Sequence, residues 1–244
     1  MATSKKTVLI TGANKGIGLE TARQLAGLGY FVYIGCRDQA KGQAAVRELN
    51  AAGITEVAVL AIDVTAASSI KAARQELEGK IERLDVLVNN AGISGPMPQA
   101  ATTVPVDTVR EVFETNFFGV IQVTQEFLGL LGKSAQPRIV NVSSDLGSLT
   151  DHSDPAWKYY DVKLAAYCSS KTALNAYTVM LAYDLRDKPF KVNSVNPGYT
   201  ATDFNDHQGP LTPEQAAKVL VRFATLDENG PTGKFFSEEG ETAW

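Results

Sequence analysis

A chain of 244 residues, 44% hydrophobic and 20% charged, is long enough to bury one α/β core and needs no second domain. Its net charge of −4, with both signs interspersed, leaves no basic face for nucleic acid or an anionic membrane, and no apolar run approaches the ~20 residues of a membrane span. Cys36, Cys168, His152 and His207 stand apart from ligand or hydrolase spacings, which speaks against a disulfide framework, a metal centre or nucleophilic hydrolysis. Met1–Lys6 lead directly into the first apolar run, so a cytoplasmic location and a small-molecule partner are expected.

In chain order, Thr7–Ile10 reads as a strand, Thr11-Gly12-Ala13-Asn14-Lys15-Gly16-Ile17-Gly18 as a tight turn, and Gly16–Leu28 as a helix. Further apolar runs at Phe31–Ile34, Val57–Ile62, Val86–Val88, Arg138–Val142, Lys191–Val195 and Lys234–Phe236 read as strands. Amphipathic stretches at Gln39–Ala52, Ser68–Ile81, Pro105–Leu131, Ala165–Arg186 and Pro213–Leu226 separate them, with Gly29 and Gly53 at expected helix stops. This βα rhythm predicts a single Rossmann-type domain over 1–244: a doubly wound parallel sheet of about seven strands, helices on both faces and ligand at the strands' carboxyl ends.

Two local patterns carry chemistry. In the glycine loop, positive φ lets backbone N–H groups approach a pyrophosphate, while the following helix start supplies partial positive charge. Its G-x-x-x-G-x-G spacing differs from the G-x-G-x-x-G of larger dehydrogenases, and taken alone it also fits a plain strand-to-helix turn. Farther on, Tyr167 and Lys171 lie four apart on one helix face, where an ammonium beside a phenol favours the phenolate. A lone Tyr-x-x-x-Lys is more often a surface pair; Ser144 upstream and the glycine loop give it weight.

Taken together, Thr11-Gly12 through Gly18, Asp63-Val64, Asn89-Asn90-Ala91-Gly92, Asn116, Ser144, Tyr167/Lys171 and Asn196-Pro197-Gly198 appear in one order nearly end to end. In this the chain resembles the short-chain dehydrogenase/reductase family of the small, single-domain kind. Asn14 to Gly18, Asn116-Phe117-Phe118-Gly119 and Gly230 to Phe236 look most like the carbonyl reductases.

The resemblance implies an NADP(H) cofactor and reduction of a ketone or aldehyde. Asp63 and Val64 would hold the adenine, and Asn89, Ala91 and Gly92 the adenosine ribose. Pro197, Gly198, Thr200 and Thr202 would fix the nicotinamide carboxamide. Ser144, chosen over Ser143 because Gly147 follows by three, would bond the substrate carbonyl while Tyr167 donates a proton. Lys171 would hold ribose hydroxyls and lower the tyrosine pKa, and Asn116 would anchor a water or, alternatively, a helix kink. Cys36 stands where an NAD-type carboxylate is expected, so Arg37 and Lys15 can bracket a 2′-phosphate, although Asp38 could instead turn to a ribose hydroxyl.

Ile93, Met97, Leu146, Trp157, Tyr160, Tyr199 and Phe204 are candidate walls for a hydrophobic carbonyl substrate. Tyr167 follows Ser144 by 23 residues, more than the family's usual spacing, which marks 149–160 as an insertion. That segment is expected to gate the site and, by the resemblance, to cover the helix face of tetramer assembly, leaving a monomer or homodimer. A non-catalytic NADP(H)-sensing regulator, or a sugar-nucleotide epimerase or dehydratase, are the competing readings; retention of Asn116, Ser144, Tyr167 and Lys171 opposes the first and brevity the second.

Overall fold

Alternating side chains on one strand serve two cores. In the computed structural model, which describes residues 5–244, Val8 and Ile10 of β1 (Thr7–Thr11) pack into one hydrophobic layer and Leu9 into the other. The expectation for Met1–Ser4 lies outside the described residues. Around β1 run β2 (Phe31–Cys36), β3 (Val57–Ala61), β4 (Val86–Asn89), β5 (Arg138–Val142), β6 (Lys191–Val195), β7 (Phe235–Ser237) and β8 (Gly240–Glu241).

The sheet order is β3-β2-β1-β4-β5-β6-β7-β8, with neighbours parallel from β3 to β7. Strand order reverses between β1 and β4, which opens a crevice at their carboxyl ends. One strand more than expected is present, because β8 pairs antiparallel with β7 through Ser237 and Gly240. Two residues after a tight Glu238-Glu239 turn carry no apolar run, so periodicity could not reveal it.

Helices α1 (Gly16–Gly27), α2 (Gln39–Ala51) and α8 (Pro213–Ala224) cover one face; α3 (Ala67–Glu78), α5 (Gly119–Leu131) and α7 (Ala165–Asp184) cover the other. Phe223 and Phe127 anchor α8 and α5 in the two layers. Full burial of such a side chain is worth about 1.5–3 kcal/mol.

The single helix expected over Pro105–Leu131 is three pieces. α4 (Val106–Phe113) passes into a π-helical turn at Glu114–Phe118 and then into α5. The cause is Asn116, fully buried at that turn. Its Oδ1 accepts from Ile93 N–H at 2.9 Å, and its Nδ2 donates to Ile93 C=O at 2.9 Å and Ser170 Oγ at 3.0 Å. The wider turn reaches the chain after β4, a use of π-bulges common at functional sites.

The 149–160 segment folds as a short helix, α6 (Leu149–His152), followed by turns. It is tied to the chain's end, where Thr150 N–H donates to Trp244 C=O at 2.9 Å. Phe118 and, on α7, Met180 and Tyr183 remain exposed. Among the described residues, no helix is long and apolar enough to cross a membrane.

Candidate active site

The crevice between β1 and β4 continues into one cleft of about 1300 Å³. Roughly 300–1,000 Å³ suits a single drug-sized ligand, so this volume has room for a dinucleotide and a second small molecule. One end is built by the glycine loop. Gly12 has φ +64, and a Cβ there would lie 2.8 Å from Ala91 Cα, so only glycine lets the loop pack against the end of β4. Gly12, Asn14, Lys15, Gly16, Ile17 and Gly18 all line the cleft.

No side chain caps the start of α1 at Lys15, which leaves the N–H groups of its first turn at the cleft wall. This donor set, with the dipole of α1 behind it, suits a pyrophosphate. Beyond it, Asp63 and Val64 line the cleft. Thr65 holds Asp63 in place, and its N–H at 2.9 Å and hydroxyl at 2.8 Å keep that carboxyl below the usual carboxylate range. Ala91, Gly92, Pro197, Gly198, Thr200 and Thr202 also line it as expected. The donors and walls present therefore fit a nicotinamide dinucleotide.

Asn89 is a correction. Its amide donates to Thr124 Oγ1 at 3.0 Å and Asn141 Oδ1 at 2.9 Å under the sheet and does not line the cleft. Successive side chains on a strand point to opposite faces, so its neighbour Asn90 reaches the site instead. Asn90 Nδ2 donates to the carbonyls of Thr11 at 2.9 Å and Gly12 at 3.1 Å, bracing the glycine loop.

Lys15 and Arg37 both border the cleft, but Lys15 Nζ is engaged, 2.8 Å from Asp203 Oδ2. Asp203 is shared with His207, whose Nε2 lies 2.9 Å from Oδ1. Asp38 is occupied too, capping α2 by accepting from Lys41 N–H at 3.1 Å. The Cys36 thiol donates to Asp38 C=O at 3.2 Å, and burial raises its pKa.

At the other end, Ser144 ends the loop after β5 and caps a 3-10 turn at Asp145–Gly147, accepting from Leu146 N–H at 3.2 Å. Gly147 is required there, because a Cβ would lie 2.9 Å from Lys171 Cβ and hold α7 away. Close approach of α7 brings the Tyr167 phenol beside the Ser144 hydroxyl at the wall of the cleft. Burial pushes the Tyr167 pKa well above its ordinary value, more than the neighbouring Ser144 hydroxyl lowers it. Lys171 Nζ sits 5.7 Å from the Tyr167 ring centroid and donates to Val142 C=O at 2.8 Å; burial lowers its pKa to about 8.

This differs from the expected lowering of the tyrosine pKa by the lysine. Desolvation is the largest cause of the shift, and Lys171 is not among the groups that lower it. A phenol and a serine hydroxyl on the wall of one cleft can protonate and polarise a carbonyl oxygen.

Ile93, Met97, Leu146, Tyr199 and Phe204 also line the cleft, with Phe204 5.8 Å from the Tyr167 ring. Trp157 and Tyr160 do not. Trp157 packs edge-on against His152 and Tyr159, and the Tyr160 ring takes Lys163 Nζ at 4.2 Å. The turns after α6 present Tyr159, Val162 and Leu164 to the cleft in their place. Sequence reasoning also missed Gln99, buried, whose Oε1 accepts from Tyr167 N–H at 3.0 Å and whose C=O accepts from Ala165 N–H at 3.0 Å. It closes the N-terminus of α7 from a distant loop, and no local signal announces that contact.

The family model for short chain dehydrogenases matches residues 6–210. Among curated relatives, the short-chain dehydrogenase anuI of Penicillium roqueforti is 38% identical over 98% of this chain and 96% of that protein. A (+)-neomenthol dehydrogenase of Capsicum annuum is 32% identical over 96% of each. An NADPH-bound carbonyl reductase from chicken fatty liver superposes with a TM-score of 0.85 at 29% identity, covering 99% of this chain and 100% of that one. Matches of this extent, on a sheet whose switch-point cleft joins a dinucleotide-type loop to a half-buried tyrosine, make this chain a member of the short-chain dehydrogenase/reductase family, an oxidoreductase acting on CH–OH or C=O groups.

Proposed function

We propose that the chain reduces a ketone or aldehyde to an alcohol with NADPH as the reductant, on a small and largely apolar carbonyl compound. The observation that carries this reading is that Ser144, Tyr167 and Lys171 line the same cleft as the glycine loop. The glycine loop and α1 would hold the pyrophosphate, Asp63 and Val64 the adenine, Ala91 and Gly92 the adenosine ribose, and Pro197 to Thr202 the carboxamide. Bound NADPH would supply the hydride.

Ser144 and Tyr167 then act on the substrate oxygen: the serine hydroxyl polarises it and the phenol delivers its proton, so negative charge never accumulates there. Lys171 orients the ribose and supports return of a proton to the tyrosine. Asn116 holds the turn on which this corner rests, through Ile93 and Ser170.

Preference for NADPH over NADH is supported by Arg37 at the end of β2 and by the thiol of Cys36 where a carboxylate would bond a ribose hydroxyl. A cytoplasmic enzyme, as monomer or homodimer, completes the reading. It is tested by following NADPH and NADH consumption against ketones, aldehydes, quinones and imines. Turnover of at least one carbonyl, with NADPH favoured, is expected; binding of NADPH with no carbonyl reduced by any member of the panel would overturn it.

A further inference from the structure

A carboxylate stands in the cleft beside Ser144. Asp145 follows Ser144 directly, lines the cleft, and is held against its wall by Oδ1, which accepts from Ser144 Oγ at 3.3 Å and Leu146 N–H at 3.0 Å. Neither contact uses Oδ2. The lysines around this corner are engaged elsewhere: Lys158 Nζ lies 4.9 Å over the Tyr159 ring, Lys163 donates to His152 C=O at 2.9 Å, and Lys171 to Val142 C=O at 2.8 Å. Among the described residues, no cation forms an ion pair with Asp145.

Asp145 is half-buried, and partial desolvation of a carboxylate without a cation costs free energy that a ligand can recover by supplying one. The direction of the Asp145 pKa agrees. Burial raises it above the usual carboxylate range, against the Ser144 hydroxyl, the Leu146 N–H and the more distant charge of Lys158. An ammonium placed beside Oδ2 would favour the ionised form and gain a charge-assisted hydrogen bond.

The geometry also says where that ammonium must be. Ser144 Oγ is both the candidate partner of the reacting oxygen and 3.3 Å from Asp145 Oδ1, so a group bonded to the carboxylate lies within a few bonds of the carbonyl. We propose that Asp145 is a specificity-determining residue that selects carbonyl substrates bearing a protonated amine on the carbon next to the carbonyl. This rests on the reductase reading above and deepens it by naming the substrate class. It modifies the expectation of a purely hydrophobic substrate: the apolar walls take the substrate's body, and Asp145 its charge.

The test compares α-aminoacetophenone with propiophenone, in which a methyl replaces the ammonium, and with hydroxyacetophenone as a neutral donor. Calorimetric binding to the NADP⁺-loaded protein and kcat/KM with NADPH are both measured, on the parent, Asp145→Asn and Asp145→Glu. The amine is expected to be preferred over propiophenone about tenfold or more in the parent, as one charge-assisted hydrogen bond allows. That ratio should fall towards one in Asp145→Asn and recover partly in Asp145→Glu, which keeps the charge.

The ratio is the informative quantity, because a residue that merely positions Ser144 would lower both substrates together and leave it unchanged. An unchanged ratio in Asp145→Asn, or no amine preference in the parent, overturns the proposal. A preference equal for hydroxyacetophenone and the amine overturns the cationic part. If the amine binds preferentially through Asp145 but no carbonyl is reduced, the binding inference stands and the reductase reading falls.

Discussion

Lys15 Nζ and Asp203 Oδ2 lie 2.8 Å apart, joining the glycine loop to the loop that carries Thr202 and Phe204. On the NADPH reading, Lys15 would be shared between this carboxylate and the 2′-phosphate. Removing the carboxylate should release the ammonium. Asp203→Asn is expected to raise the ratio of NADPH to NADH affinity by a few-fold, while Arg37→Asp lowers it by about 1.5 kcal/mol, the low end for a charge-assisted contact because Arg37 is exposed. Dissociation constants for both cofactors check this; a lower NADPH preference in Asp203→Asn would show that the pair serves the cofactor intact.

Tyr167→Phe keeps the ring against Phe204 and removes only the hydroxyl. Cofactor affinity should stay close to the parent, while kcat falls roughly 10²–10⁴-fold, the contribution of a positioned proton donor. Full turnover in this variant would falsify the assignment of the acid.

Lys171 offers a pH signature. Its folded pKa is about 8 against an ordinary 10.5, so below pH 8 both folded and unfolded chains hold the proton and the whole burial penalty is present. Between about 8 and 10.5 only the unfolded chain holds it, so stability rises with pH across that window. Relative to Lys171→Met, the parent should gain up to about 3 kcal/mol between those limits. Denaturant unfolding of both proteins at several pH values reads the difference, and a flat difference would count against the buried, unpaired ammonium.

Asn116→Ala leaves the N–H and C=O of Ile93 without their partner and removes the anchor of the π-helical turn. A loss of about 1–3 kcal/mol in unfolding free energy is expected, together with reduced turnover. Reduced turnover at parental stability would mean that the side chain acts on the reaction and does not hold the turn.

Shortening 149–160 removes Tyr159 and the support of Val162, both of which line the cleft without belonging to the glycine loop. Substrate preference should change more than NADPH affinity, and the same carbonyl panel with cofactor titrations reports both. An unchanged profile would refute a gating role. Light scattering of the parent separately tests the assembly, where a stable tetramer would contradict a monomer or homodimer.

The sequence by itself determined the order of strands and helices, the glycine loop and the pairing of Tyr167 with Lys171. All of these rest on local rules: alternation along strands, 3.6-residue periodicity, and the conformational freedom of glycine at a turn. Even the parallel sheet follows, since βα repeats with wholly apolar strands have few other ways to bury both faces.

Tertiary structure decided what the side chains do at the cleft. The pleat of β4 sends Asn90 to the glycine loop and Asn89 beneath the sheet. The register of that turn could not be placed from the Asn89-Asn90 pair alone. Tyr159 lines the cleft where Trp157 and Tyr160 were expected, because packing against His152 and Lys163 sets how the turns after α6 lie. Gln99 meets Tyr167 across 68 residues, and Lys15 meets Asp203 across 188. Such contacts carry no periodic signature, because they form only after the sheet has brought distant loops to the same strand ends; the same closure buries Lys171 and half-buries Tyr167, which lowers the lysine pKa and raises that of the phenol.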